Sequence, residues 1–128
     1  MYKLLEAEVE TADRLELLLM LYEGCFRFMN SAILAIDNKN IPEFCENLLK
    51  AIDIVVELTN SLNFEVDSDL PHLLAKVYRS VLYFLTEANL KRRKDEIIVA
   101  RNCLQKIYEA FKQIDSDNRK PSEPKFKL

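Results

Sequence analysis

The sequence predicts an all-α fold: one antiparallel up-down-up-down four-helix bundle with a short N-terminal strap or helix. Three observations carry that expectation. The 128 residues include one Gly and four Pro, too few for the tight turns and bulges on which β-sheets depend. Leu, Glu, Lys, Ala and Ile dominate, as they do in helices. Apolar residues return at three- and four-residue steps along four long stretches, and an apolar content of 49% supplies one continuous core without metal or disulfide staples.

Taken in order, residues 1–12 form the strap, with Tyr2, Leu4, Leu5 and Val9 as its apolar side chains. Asp13, followed three residues later by Glu16, has the acceptor and the returning carboxylate of a capping box. The apolar pattern then runs from Leu15 to Ile36, so helix one spans 14–37. Asn40 and Glu43 repeat the signal, with Pro42 in the first turn, where its missing donor costs nothing. Helix two follows over 41–63. The polar stretch Asn63 to Asp69 is a loop, and Pro71 opens helix three, 70–90, along Leu70, Leu73, Leu74, Val77, Val81 and Leu85. Ile97, Ala100, Leu104, Ile107, Phe111 and Ile114 make one stripe on helix four, 94–115. Short connections make sequential helices antiparallel. The organisation is therefore a strap (1–12), a bundle (13–115) and a flexible tail (116–128) that contains Pro121 and Pro124.

Composition excludes several functions. The formal charge is −3, with acidic and basic residues interspersed, so nothing advertises nucleic acid or an anionic bilayer as a partner. The one cationic run, Lys91 to Lys94, falls where a helix ends and complements its dipole. Cys25, Cys45 and Cys103 lie on three different helices and read as buried, reduced thiols of a cytosolic protein. No CxxC pair exists, and His72 has no ligand partner at metal spacing. The Met1 end lacks the basic and apolar regions of a cleaved signal. The most apolar stretch, Leu15 to Phe28, is interrupted by Glu16, Glu23 and Arg27 and is shorter than a membrane span. One His, no Gly-flanked Ser and a solitary Gly24 leave neither an activated nucleophile nor a phosphate cradle. The chain is expected to be no enzyme and to need no cofactor.

A surplus of apolar surface points instead to a protein partner. Glu16, Glu23, Arg27 and Asn30 project within one narrow arc of helix one, and the rest of its circumference is apolar. That is wider than the stripe an edge helix needs. Either helix one is central or one apolar side meets something else, whether a client, a second copy in a homodimeric adaptor, or a lid such as Met1 to Val9.

The stretch Val9-Glu-Thr-Ala-Asp-Arg-Leu-Glu-Leu-Leu-Leu-Met-Leu-Tyr-Glu-Gly24, continuing through Phe26-Arg-Phe28, resembles the opening signature of the flagellar secretion chaperone family FliS. Lys50-Ala-Ile-Asp-Ile54 with Glu57-Leu58 is similar to the family's second helix. Tyr78 followed by Leu85, Glu87, Ala88 and Asn89 is similar to its third. Arg14 stands where the family has Pro, and Phe111 where Trp is common. The resemblance covers about residues 9–115 and implies a cytosolic bundle that binds the C-terminal region of flagellin, prevents premature polymerisation and helps deliver subunits to the flagellar export gate. Combined with the apolar surplus, it nominates Leu18, Leu21, Tyr22 and Phe26 on helix one, Ile52 and Val55 on helix two, and Tyr78 and Asn89 on helix three as partner-binding residues. Tyr2, Leu4 and Leu5 are nominated as a displaceable strap.

Overall fold

The computed structural model describes residues 11–118, and four α-helices account for almost all of them. They are α1 (Thr11–Asp37), α2 (Ile41–Asn60), α3 (Leu70–Lys91) and α4 (Asp95–Asn118). Each helix packs against its sequence neighbours, and α1 also packs against α4, so the four close into a ring. Cross-helix contacts run in opposite directions along adjacent helices, as an up-down-up-down bundle requires. Glu23, Asn30 and Asp37 of α1 meet, in turn, Tyr108 and Arg101 of α4 and Lys94 just before it, at 2.6, 2.7 and 2.8 Å.

The helix ends explain where the predicted boundaries moved. Asp13 lies inside α1, which starts two residues earlier, so it is not the cap the sequence suggested. Asn40 is a cap: its Oδ1 accepts from the Glu43 amide at 3.3 Å, while its own amide donates to the Glu43 carboxylate at 2.8 Å. Helix α2 stops at Asn60 rather than 63 because the Ser61 hydroxyl donates back to the Leu58 carbonyl at 2.8 Å and occupies a helix acceptor. Helix α4 continues three residues past 115, with Gln113 donating to Asp117 at 3.0 Å across its last turn. Residues 116–118 therefore belong to the helix and not to the tail.

Lys39 (φ 60°) and Arg92 (φ 54°) make two of the reversals in left-handed conformation, a task usually given to Gly. The run Lys91 to Lys94 is structural. Lys91 closes α3, Arg92 caps it, Arg93 forks onto Glu96 at 2.7 and 3.1 Å, and Lys94 reaches Asp37. The hydrogen bond from Arg93 holds the Glu96 carboxyl down at about 2.

The core is aliphatic along most of its length and aromatic at one level. Phe44, Leu48, Val55, Leu58, Val81, Leu85, Ile97 and Leu104 are fully enclosed. Around Tyr22 the rings of Phe26, Tyr78, Tyr108 and Phe111 gather at centroid distances of 6.1–6.4 Å. The wide apolar arc of α1 is largely consumed here, because this helix touches α2 on one side, α4 on the other and α3 across the middle. Gly24 assists the close α1–α2 contact, where an added Cβ would lie 3.4 Å from Ile54 Cδ1. Of the three cysteines only Cys25 is buried; burial pushes its thiol up to about 12, and it points at the Ala51 carbonyl. Cys45 and Cys103 are half-buried, a departure from the expectation that all three are enclosed. All three are free thiols.

Candidate functional site

An apolar depression lies between the first half of α3 and the second half of α4. Leu70, Leu73, Leu74 and Val77 form one wall, Ile107, Ala110, Phe111 and Ile114 the other, and Lys106 stands at the edge of a groove of about 390 Å³. Leu74 and Phe111 make the floor, almost closed to solvent, while Leu70, Leu73 and Ile114 at the rim are 47%, 58% and 48% exposed. Both walls follow from helical spacing, since residues three, four and seven apart share a face. The gap arises opposite Ala110, whose methyl group leaves space that a larger side chain would fill. Phe64 and Val66 of the loop before α3 are also half exposed. The carboxylates of Glu65, Asp67 and Asp69, in the loop before α3, form no ion pair within the described residues.

Such a groove suits the apolar stripe of an amphipathic helix. It offers little for chemistry: its walls are hydrocarbon, with one ammonium at the edge. Among the described residues no three His, Cys, Asp or Glu side chains are grouped to hold a metal ion.

The residues nominated from sequence are placed elsewhere. Tyr22, Val55 and Tyr78 have no exposure at all. The Tyr22 and Tyr78 hydroxyls hydrogen-bond each other at 2.7 Å across the bundle centre, and burial pushes the Tyr22 phenol far above its ordinary range. In this conformation all three are core residues, because a ring or β-branched side chain on the innermost face has no path outward. Leu18, Leu21, Phe26 and Ile52 are half-buried, packed against that core with one edge outward. Asn89 is half-buried and is not the C-cap of α3; its Oδ1 accepts from Arg92 Nη1 at 2.8 Å, and the same guanidinium meets Cys45 Sγ. None of the eight lines the α3–α4 groove. Tyr2, Leu4 and Leu5 lie outside the described residues. Sequence reasoning assigned Leu70, Leu73, Val77, Phe111 and Ile114 to the core stripes and passed over the groove. The small Ala110 between Ile107 and Ile114 was the available signal.

A further polar contact lies on the α1–α4 side. Tyr108 Oη donates to Glu23 Oε2 at 2.6 Å and accepts from Lys112 at 3.4 Å. The bond to Glu23, followed by partial burial, raises the pKa of this phenol, so that it stays protonated.

Comparison with known proteins decides the family. Residues 2–118 match the model of the family described as flagellar protein FliS. The chain belongs to the FliS family. Relatives within FliS include the flagellar secretion chaperone FliS of Bacillus subtilis, 33% identical over 112 residues that cover 88% of this chain and 83% of that protein. The protein of the same name from Campylobacter jejuni is 30% identical over 112 residues, covering 88% and 86%. That of Vibrio cholerae is 26% identical over 109 residues, covering 85% and 80%. These FliS relatives carry the name of chaperones, a non-enzymatic role. Within the described residues the FliS-like stretch from Leu15 to Phe28 falls on α1, where Tyr22 and Gly24 are buried and Met20 points out. Among the described residues one window, Arg14–Asp37, is long and apolar enough to cross a membrane by composition alone, longer than the Leu15 to Phe28 stretch read from the sequence. Its apolar side chains form a large share of the bundle core.

Proposed function

We propose that this chain is a cytosolic export chaperone that binds the C-terminal segment of flagellin and holds it until export, with an amphipathic stretch of the client seated in the α3–α4 groove. The observation that carries the reading is an unfilled, almost wholly hydrocarbon groove on a bundle of the FliS family. A client whose terminal segments are amphipathic and unfolded before assembly loses its polymerising surface when that apolar face is covered. Delivery to the flagellar export gate then requires release. The entropy of ordering a flexible client, roughly 2 to 5 kcal/mol or more, keeps such an interface reversible.

Three further elements belong to this reading. The outward edges of Leu18, Leu21, Phe26 and Ile52, and the amide of Asn89, extend the contact for a client that wraps beyond the groove. Tyr22, Val55 and Tyr78 serve it by fixing the spacing of the helices. Tyr2, Leu4 and Leu5 act as a strap that covers apolar surface until the client displaces it. The reaction is binding only, with no cofactor and no catalysed step.

A polymerisation assay tests the proposal. An equimolar amount of the chain, added to monomeric flagellin from the same organism with filament seeds, suppresses elongation, and flagellin lacking its C-terminal segment does not co-elute with the chain. Leu4→Ala with Leu5→Ala strengthens suppression by removing the strap's competition. Elongation unaffected by excess chain would contradict the function, and weaker suppression by the double variant would contradict the strap.

A further inference from the structure

The side chains that line the α3–α4 groove are apolar except for Lys106, at the α4 edge. A lysine in such a place lays its methylene stem along the apolar wall and keeps its ammonium in water. This ammonium makes no ion pair or hydrogen bond among the described residues. Its neighbours on α4 show why. A helical cation finds its in-chain partners three or four residues away, and those positions hold Asn102, Cys103, Glu109 and Ala110. The one carboxylate among them is already engaged: Glu109 Oε2 accepts from Gln105 Nε2 at 2.7 Å. Lys112, the next cation along α4, is committed to Tyr108 on the side that faces α1. Lys106 thus holds a positive charge at the edge of an apolar groove, and no carboxylate of the described bundle neutralises it.

We propose that Lys106 is a specificity-determining residue of the client site: it pairs with a carboxylate of the client, and together with the space over Ala110 it selects an amphipathic helix with an acidic residue one turn from a bulky apolar one. The inference rests on the reading of this groove as the client site. The spacing follows from α4 itself. Lys106 and Ala110 are four residues apart, about 6 Å along the helix axis, and a client helix lying along the groove brings its own side chains round at nearly the same interval. A bulky side chain seated over Ala110 therefore puts the client residue three or four positions away beside Lys106. The α3 wall, made by Leu70, Leu73, Leu74 and Val77, carries no charge. The pair consequently tells one flank of the client's stripe from the other, fixing how the helix is rolled and in which register it lies. A basic client residue at the same place would set two ammonium groups together beside a surface that excludes water, so the lysine rejects as well as selects. The strap proposed to compete for apolar surface has the same pairing in its sequence, Leu5 with Glu8 three residues on.

The test is titration of full-length chains with a peptide covering the C-terminal segment of flagellin from the same organism, at low and at high salt. Three chains are compared: one with Lys106, one with Lys106→Met and one with Lys106→Glu. All three also carry Leu4→Ala and Leu5→Ala, so that a strap with its own carboxylates does not mask the effect. Methionine keeps the apolar stem and removes only the charge, and Lys106 is exposed, so both replacements leave the helical circular dichroism intact. At low salt Lys106→Met is expected to bind several-fold more weakly and Lys106→Glu roughly tenfold more weakly or worse. Both differences shrink at high salt, where the charges are screened. Replacing the peptide's acidic residues by Lys one at a time then finds one position that weakens binding to the Lys106 chain and restores binding to Lys106→Glu. No binding by the Lys106 chain would overturn the reading of the groove, and this inference with it. Binding that neither replacement alters, equal weakening by both at every salt concentration, or a peptide without a rescuing position would overturn the role of Lys106 alone.

Discussion

Two tyrosine hydroxyls 2.7 Å apart at the sealed centre of the bundle tie α1 to α3, a diagonal link across the ring of neighbouring helices. In a dry core each hydroxyl is costly unless bonded. Tyr22→Phe is therefore expected to destabilise the fold by about 1 to 3 kcal/mol. Urea unfolding would read this as a lower midpoint at unchanged slope, and a midpoint equal to the parent's would show that the pair contributes nothing. The same pair marks the limit of what single residues disclose in sequence. Tyr22 and Tyr78 stand on apolar stripes, and an amphipathic ring at such a position serves a core or an interface equally well. What decides between the two is the opposing helix, and sequence spacing within one helix does not contain it. The half-exposed Cys45 and Cys103 were misjudged for the same reason, each lying at the edge of a stripe.

At the scale of the element, the helices were legible because their caps and periods agree. Asn40 with Glu43 worked as read, while Asp13 was passed by a helix that begins earlier, and Ser61 ended α2 by a side-chain bond that apolar periodicity does not reveal. The reversals are where the sequence departs from convention. With one Gly in the chain, lying within α1, Lys39 and Arg92 adopt left-handed backbone instead. Arg92 recovers part of that cost through its guanidinium contacts to Asn89 and Cys45. Lys39 is exposed, and among the described residues no side-chain contact of its ammonium offsets the strain. Lys39→Gly is accordingly expected to stabilise the protein by about 0.5 to 1 kcal/mol, the left-handed penalty outweighing the added freedom of the unfolded chain. Thermal unfolding would check it; a lower midpoint would mean that the Lys39 backbone carries little strain.

At the scale of the whole molecule, the four-helix ring follows from short connections and one apolar stripe per helix, and both are visible in the sequence. The groove does not follow from them. It depends on how far α3 and α4 stand apart opposite Ala110, a distance set by the packing of Phe111, Leu74 and the tyrosine cluster behind it. Apolar residues that line an open groove and those that fill a closed core have the same spacing, so the stripe Leu70, Leu73, Val77 and its counterpart Ile107, Ile114 looked like core until the helices were assembled. Family membership supplies the chaperone name, and under the proposed function the groove supplies a physical means for it, an apolar trough into which a partner's helix fits.

The central claim is that this trough holds flagellin's C-terminal segment. The most direct measurement is calorimetry of the full chain with a peptide covering that segment from the same organism, at several temperatures, for the parent and for the Leu73→Glu, Ala110→Glu variant. The account predicts one-to-one binding with a large negative heat-capacity change, the mark of buried apolar surface, and a loss of at least tenfold in affinity, about 1.4 kcal/mol, in the groove variant. Absence of binding at micromolar concentrations, or binding that the groove substitutions leave untouched, would contradict it.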